Sequence, residues 1–179
     1  AASPTQACVA CEPGKYQSNN IQVTCNACPD GQIANLAGQD SCIPCLAGTF
    51  SSGTKDVCVE CEPGKFQNKD EQMSCESCID GTVSPVSGAK ECAYCEAGSY
   101  MNQNKQTCDS CPLGYYQNQI KSVTCVVCES GKISDIQGSV ECQLCSAGYE
   151  TDTNQSSCLS CQKGNFNPTA GQTCSACPA

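Results

Sequence analysis

The sequence predicts a small disulfide-rich fold, mostly β or irregular, built as an elongated tandem array of short β-hairpin modules. Three observations predict it. Cys accounts for 22 of the 179 residues, a share typical of disulfide scaffolds. Leu, Ile, Val and Phe together make up only about 14% of the chain, below the roughly 20% that a packed core needs. The cysteines also recur at a fixed period, which indicates a repeat array.

The cysteines form eleven Cys-x-x-Cys pairs that follow one another at steps of 16 or 17 residues. The order of steps 17, 17, 16 recurs, so the short repeat lies within a repeat of 50 residues. The segments CEPGKYQ, CEPGKFQ and CPLGYYQ, which begin at Cys11, Cys61 and Cys111, occupy the same place in successive copies. We therefore expect repeat copies at 8–57, 58–107 and 108–157, followed by a partial terminal copy at 158–179.

Each module carries a Gly three residues after the second Cys of a pair, which indicates a positive φ in a tight turn. These residues are Gly14, Gly31, Gly48, Gly64, Gly81, Gly98, Gly114, Gly131, Gly148 and Gly164. Two positions further on, most modules have an aromatic or β-branched residue, the aromatics being Tyr16, Phe50, Phe66, Tyr100, Tyr116 and Phe166. We expect this side chain to lie over the disulfide as a miniature core.

Each module then consists of a strand, a polar turn and a returning strand that ends at the next Cys. A helix is disfavoured, because no apolar spacing of three and four residues persists across a module. Arrays of this kind are expected to have contacts between nearest neighbours only.

The composition argues against most catalytic and nucleic-acid-binding functions. His, Arg and Trp are absent, which removes the commonest general base and the side chain that binds phosphate with two hydrogen bonds. The net charge of −9 disfavours nucleic acid and anionic membranes as partners. No apolar stretch approaches the 18 residues of a membrane span. We expect no enzymatic activity, no catalytic residues, no cofactor and no membrane insertion in this segment.

Zinc binding is the competing interpretation of the cysteines, because two Cys-x-x-Cys pairs can provide four thiolate ligands. Each such site uses two pairs, so eleven pairs would leave one pair unused within the chain. The chain also lacks the basic face that zinc-ribbon modules usually show. A thioredoxin-like redox function is disfavoured, because no βαβ pattern surrounds any pair. We therefore expect no metal site.

The motif Cys-x-x-Cys-x-x-Gly-x-[Tyr/Phe] resembles the ephrin-receptor-like cysteine-rich modules over nearly the whole chain. It is similar, more distantly, to tumour necrosis factor receptor modules and to cysteine-rich surface antigens of protozoa. Some modules depart from the motif. Tyr149 stands one residue early, with Glu150 in the aromatic position, and the second module of each copy has Ile33, Val83 or Ile133 there.

The resemblance implies that the Cys before x-x-Gly bonds the Cys that closes the same module. The implied pairs are Cys11–Cys25, Cys28–Cys42, Cys45–Cys58, Cys61–Cys75, Cys78–Cys92, Cys95–Cys108, Cys111–Cys125, Cys128–Cys142, Cys145–Cys158 and Cys161–Cys174. Spacing alone cannot choose the connectivity, and a crossed pattern that uses pairs of Cys-x-x-Cys units is the alternative. Eleven units and a three-module period fit that pattern poorly.

This pairing leaves Cys8 and Cys177 without a partner in the chain. One expectation is an intersubunit disulfide from Cys177 of one subunit to Cys8 of the next, which would build an open filament. The other is that neighbouring modules of a longer chain supply both partners. The chain begins at Ala1 rather than Met, so a removed leader or a longer parent protein is expected.

These observations predict a non-enzymatic extracellular or cell-surface structural repeat protein, a disulfide-laddered rod, stalk, surface coat or filament subunit. Its expected partners are further copies of itself or the neighbouring modules of a longer chain. Asn154-Gln155-Ser156 is an N-glycosylation sequon in a polar turn, so a glycan is expected at Asn154. The alternative function is a receptor or adhesion ectodomain that binds a protein ligand. An apolar patch that breaks the repeat would favour it, and none is apparent, because the aromatics lie mostly in the repeated position.

Overall fold

The computed structural model describes residues 9–19 and 24–178. Within them it has twenty β-strands of two or three residues and no helix, so no helix could cross a membrane there. The strands are β1 Lys15–Tyr16, β2 Asn26–Ala27, β3 Gln32–Ile33, β4 Ile43–Pro44, β5 Thr49–Ser51, β6 Cys58–Glu60, β7 Lys65–Phe66, β8 Glu76–Ser77, β9 Thr82–Val83, β10 Ala93–Tyr94, β11 Ser99–Met101, β12 Cys108–Ser110, β13 Tyr115–Tyr116, β14 Val126–Val127, β15 Lys132–Ile133, β16 Gln143–Leu144, β17 Tyr149–Thr151, β18 Cys158–Ser160, β19 Asn165–Phe166 and β20 Ser175–Ala176.

Consecutive strands pair antiparallel into separate two-stranded hairpins, from β1–β2 to β19–β20. We number the modules after these hairpins: 1 (11–27), 2 (28–44), 3 (45–60), 4 (61–77), 5 (78–94), 6 (95–110), 7 (111–127), 8 (128–144), 9 (145–160) and 10 (161–176). The predicted fold class, a tandem array of small disulfide-rich hairpins, is confirmed.

The chain divides into two compact units. The first contains residues 1–78 and 84–92, and with them the hairpins of modules 1 to 4. The second contains residues 79–83 and 93–179, and with them the hairpins of modules 5 to 10. The same kind of module therefore builds both units.

The returning strand of most modules lies beyond the closing cysteine rather than before it. In module 4, Lys65–Phe66 pairs with Glu76–Ser77, the two residues that follow Cys75. In modules 3, 6 and 9 the strand begins at the closing cysteine, which in module 3 is Cys58. The expectation that the strand ends at this Cys is wrong, because the β-turn after Cys61, in which Lys65 N donates to Glu62 O at 3.0 Å, folds the chain back before the hairpin starts.

The interior of each unit consists mainly of the second cysteines of the pairs. Cys45, Cys61, Cys95, Cys111 and Cys145 have no exposed surface. By contrast, the rings at the repeated aromatic position are only half-buried, and Phe166 is exposed. At the same position Ile33, Val83 and Ile133 are buried, with exposed fractions of 8%, 6% and 8%. The expected burial at this position is therefore found for the aliphatic side chains and only in part for the rings.

The turn glycines have the positive φ that the sequence predicts, between 79° and 93°. The structure adds a second requirement at these positions. A Cβ added to Gly31 would overlap the backbone of Glu71, forty residues further along the chain. Glu71 itself is left-handed, with φ 59°. The glycine thus lets the turn of module 2 pack directly against the loop of module 4.

This packing reaches past the neighbouring module, which corrects the expectation of nearest-neighbour contacts only. The backbone hydrogen bonds do join adjacent modules: Cys45 N donates to Gly31 O at 2.9 Å. The next module but one is reached by the turn glycine and, in module 2, by Gln32 Nε2, which donates to Glu71 Oε1 at 3.2 Å. In modules 1 to 3 of the first unit and modules 5 to 8 of the second, the turn glycine therefore lies against a loop two modules further on.

Two alanine substitutions in the second unit should separate the requirement for a positive φ from the requirement for close backbone packing. Gly131 and Gly148 have φ values of 82° and 83°, but a Cβ at Gly131 would overlap the carbonyl of Gly171, whereas a Cβ at Gly148 meets no atom within 4 Å. We expect Gly148→Ala to cost about 1–2 kcal/mol for the left-handed backbone. Gly131→Ala should cost about 1–3 kcal/mol more, because the two backbones must separate.

Native-state hydrogen exchange around each substituted glycine measures these effects, and Gly53→Ala in module 3 provides the control. Gly53 has neither a positive φ nor a close neighbour, so its substitution should change local stability by less than about 0.5 kcal/mol. Equal losses for Gly131→Ala and Gly148→Ala would contradict the close-packing role.

Candidate functional site

The recurring feature of the molecule is the disulfide-closed module. The structure contains the disulfides Cys11–Cys25, Cys28–Cys42, Cys45–Cys58, Cys61–Cys75, Cys78–Cys92, Cys95–Cys108, Cys111–Cys125, Cys128–Cys142, Cys145–Cys158 and Cys161–Cys174. These are the pairs that the resemblance implies. Their Cα atoms lie 5.4–5.8 Å apart, within the ordinary range for a bridge.

The two remaining cysteines differ in what the structure shows. Cys8 lies outside the described residues. Cys177 has a free, exposed thiol. Its backbone N donates to Gly164 O at 2.8 Å, the bond that Cys161 N makes to Gly148 O at 2.9 Å one module earlier. Cys177 therefore occupies the position of a module-opening cysteine.

The junction between adjacent modules is held by backbone hydrogen bonds in both directions. At the junction of modules 3 and 4, Cys61 N donates to Gly48 O at 2.9 Å, and Gly48 N donates to Gln67 O at 2.7 Å. Glu71 N donates to Cys45 O at 2.7 Å. The bond from the opening Cys N to the turn Gly O recurs at every junction from Cys28 to Cys177. The bonds in the other direction differ between modules: Gly31 N, for example, donates to Ser51 Oγ at 3.1 Å.

A buried polar side chain follows the half-buried aromatic in several modules, and sequence reasoning gave it no role. Gln67 is 3% exposed. Its Nε2 donates to Ser74 O at 2.9 Å, and its Oε1 accepts from Lys69 N at 3.1 Å. Gln117 makes the same bonds in module 7. The repeated Gln of KYQ, KFQ and YYQ is the sequence signal that could have revealed it.

The departure from the aromatic position in module 9 also has a structural role. Glu150 stands where other modules have an aromatic, and its Oε2 accepts a hydrogen bond from Cys174 N at 3.0 Å. The carboxylate thus binds the closing cysteine of module 10. A hydrogen bond to the next module replaces the half-buried ring.

Ion pairs link modules in the first two copies and are replaced in the third. Lys55 Nζ lies 2.7 Å from Asp30 Oδ1 and also donates to Cys28 O. Lys105 Nζ lies 3.0 Å from Asp80 Oδ1 in the same way. In the third copy the corresponding residues are Ser130 and Gln155. Because both partners change together, no unpaired charge remains, although exposed pairs of this kind contribute only about 0–1 kcal/mol each.

The loop with the glycosylation sequon is held by Asp152. Its carboxylate accepts hydrogen bonds from Ser156 N at 2.8 Å, Ser156 Oγ at 2.7 Å and Ser157 Oγ at 2.9 Å. The Ser156 hydroxyl is the main cause that lowers the pKa of Asp152 to about 2. Asn154 is exposed, and no hydrogen bond of its side-chain amide occurs among the described residues.

The hairpin of module 7 has an apolar surface. Its exposed fractions are 44% for Leu113, 39% for Tyr115, 46% for Val126 and 51% for Val127. The residues fifty positions earlier are Pro63, Lys65, Glu76 and Ser77. Tyr115 and Val127 are direct cross-strand partners, so their side chains are neighbours. The expectation that no apolar patch breaks the repeat is wrong, and a position-by-position comparison of the copies would have revealed the patch.

Two cavities in the second unit lie beside module 7. One has a volume of about 590 Å³ and is lined by Tyr116, Glu129 and Lys132 among others. The Lys132 ammonium donates to Glu129 at 2.7 Å, which lowers the pKa of Glu129 and raises that of Lys132. The other, of about 470 Å³, is lined by the apolar hairpin and the loop with Asn154. Residues 9–19 and 24–178 contain no cluster of three or more side chains suited to a metal ion.

A comparison with family models identifies the repeat. The model described as tyrosine-protein kinase ephrin type A/B receptor-like matches residues 1–35, 48–95 and 98–145. The chain belongs to this family. The resemblance stated from the cysteine and glycine spacing is thereby confirmed. No curated protein matches the chain.

Family membership and the ten disulfides indicate an extracellular, cysteine-rich tandem-repeat domain. Disulfides at this density persist in oxidising environments outside the cell. The matched repeat is of the receptor-ectodomain type, which points away from catalysis. Family membership does not distinguish a structural role from a receptor role.

Substitution of the buried glutamine tests its role in holding the loop. Gln67→Ala should cost about 1–3 kcal/mol in the local stability of module 4, because Lys69 N and Ser74 O lose their partner. The neighbouring Asn68 is exposed, and Asn68→Ala should change the stability by less than about 0.5 kcal/mol. Native-state hydrogen exchange of the loop provides the measurement, and equal effects of the two substitutions would contradict the assignment.

Proposed function

We propose that this chain is a non-enzymatic structural element of the extracellular or cell-surface space, a stalk, coat or filament subunit. Its length would depend on the number of modules. The observation that supports this most strongly is one backbone hydrogen bond that recurs at the junctions. Every module-opening cysteine from Cys28 to Cys177 donates its N–H to the turn glycine of the preceding module, at 2.8–3.0 Å.

This recurring bond joins the same pair of backbone atoms at each junction, the opening Cys N and the preceding turn Gly O. Within each unit, turn glycines add contacts with the next module but one, which oppose bending at a single junction. Both sets of contacts involve mainly backbone atoms, so they tolerate the changes of surface side chain between the copies. Modules held in this way within each unit suit a structural element.

The repeat copies at 8–57, 58–107 and 108–157 are the units that this function would multiply. Deletion of residues 58–107 joins Val57 to Cys108, which takes the place of Cys58 in the bridge of module 3. We expect small-angle X-ray scattering to show a shorter particle of unchanged cross-section, because the remaining junctions are the same.

Duplication of residues 58–107 is the matched control. It should lengthen the particle by the amount that the deletion removes. A change in cross-section, or a maximum dimension that does not respond to the number of copies, would contradict the structural role.

The intersubunit bond of Cys177 is a further part of this proposal. Its position as a module-opening cysteine, with a free exposed thiol, supports a bond to a closing cysteine outside this set of modules. Mass spectrometry of non-reduced peptides should find Cys177 joined to Cys8 of another subunit, and Cys177→Ser should abolish the covalent oligomers. A free Cys177 thiol in the native protein, or a Cys8–Cys11 bridge, would contradict it.

The apolar face of module 7 is the one observation that favours a receptor or adhesion ectodomain instead. A protein ligand at this face would be displaced by substitution of Tyr115 and Val127. Such binding would require the face to be free in the secreted protein.

A further inference from the structure

The cavity of about 470 Å³ in the second unit has two chemically different walls. One is apolar and consists of Pro112, Leu113, Tyr115 and Val127 of module 7. The other is the polar loop 153–156 of module 9, which contains the sequon asparagine. The volume lies within the roughly 300–1,000 Å³ of small-ligand sites. A sugar residue has matching properties, since its C–H face is apolar and its hydroxyl groups are polar.

The backbone holds the two walls together. A Cβ on Gly114 would overlap the carbonyl oxygen of Asn154, so the loop lies directly against the turn between Leu113 and Tyr115. The Asp152 carboxylate fixes the far end of the loop through Ser156 and Ser157. The exposed Asn154 is therefore held at the rim of the apolar wall.

The other copies of the repeat lack both features. In module 4 the positions of Pro112 and Tyr115 hold the ion pair Glu62–Lys65, at 3.2 Å. The loop of module 6 reads Asn104-Lys105-Gln106, in which Gln replaces the required Ser or Thr of a sequon. In module 1 the pair is Glu12–Lys15, and Thr54 stands in place of the asparagine. The apolar wall and the sequon thus occur in the same copy, and the fold brings them to one cavity.

We propose that Asn154 carries an N-linked glycan whose first N-acetylated sugar covers the face of Tyr115 and Val127. In its formation the amide nitrogen of Asn154 bonds to the anomeric carbon of a lipid-diphosphate-linked oligosaccharide. The bond between that carbon and the diphosphate oxygen breaks, the diphosphate leaves with the electron pair, and the amide nitrogen loses one proton. The proposal depends on the proposed function only in that the chain must be secreted.

The size of the face supports a sugar as its occupant over a protein. A specific protein interface buries about 800 Å² on each partner, which four partly exposed side chains cannot supply. Tyr combines a ring that packs against C–H groups with a hydroxyl that stays in water. A glycan at the rim also blocks the approach of a second macromolecule. The sugar removes from water a hairpin surface that is apolar where the other copies are polar.

The test uses the full chain secreted from a eukaryotic host and compares four proteins. These are the wild type, Asn154→Gln, Ser156→Thr and a hairpin graft that combines P112E, L113P, Y115K and V127S. The graft introduces the residues that module 4 has at the same positions, so the hairpin fold is known to accept them. Ser156→Thr retains both the sequon and the hydroxyl that binds Asp152.

Peptide mass spectrometry should find Asn154 occupied in the wild type, in Ser156→Thr and in the graft. Enzymatic trimming should then leave a single sugar. Amide exchange across β13 and β14 should be several-fold slower, up to about tenfold, with this sugar than in Asn154→Gln, since a contact with an aromatic ring adds at most about 1.4 kcal/mol. In the graft, the presence of the sugar should not change the exchange.

An unoccupied Asn154 would overturn the proposal. So would an occupied Asn154 whose sugar leaves exchange in β13 and β14 unchanged and shows no nuclear Overhauser effect to the Tyr115 ring. If the glycosylated wild type associates with a protein and the graft does not, the face belongs to a protein interface. None of these outcomes affects the scattering result of the copy deletion, so failure here is distinguishable from failure of the structural role.

Discussion

Each module depends on one disulfide that closes a loop of 13 or 14 residues. A bridge over a loop of about this length contributes roughly 3 kcal/mol by restricting the unfolded chain. Modules of 16 or 17 residues cannot bury enough apolar surface to fold without such a restraint. The sulfur atoms also occupy the space that a hydrophobic side chain fills in a larger domain, so most of the second cysteines are among the most deeply buried residues.

Because the disulfide takes the place of an apolar core, the rest of each module's interior can contain polar groups that are hydrogen-bonded. Gln67 and Gln117 are buried, with both ends of the amide hydrogen-bonded to their own loop. No buried side-chain nitrogen or oxygen in the described part of the chain lacks a partner. The aromatic rings at the repeated position remain half-buried on the hairpins, apart from the exposed Phe166. The surface residues can therefore change from copy to copy with little effect on the fold.

The third copy shows what this freedom permits. Module 7 exchanges a Glu–Lys ion pair for Pro112 and Tyr115, and the loop of module 9 acquires the sequon at Asn154. Neither change touches a cysteine, a turn glycine or the buried glutamine. The structural proposal rests on what all copies share, whereas the glycan proposal rests on what this copy alone has. The apolar hairpin of module 7 and the sequon loop of module 9 lie together because the turn of one module packs against the loop of the next but one.

The sequence by itself determined the module length, the hairpin class and the positive φ of the turn glycines, because each of these depends on residues within one period. It determined the disulfide pairing only through the family resemblance, since spacing leaves several connectivities open. The tertiary structure decided which residues are buried and which modules touch. The contact of Gly31 with Glu71 and the cavity beside Asn154 bring together residues about forty positions apart. They depend on the backbone hydrogen bonds of several junctions together, and no single residue of the sequence specifies them.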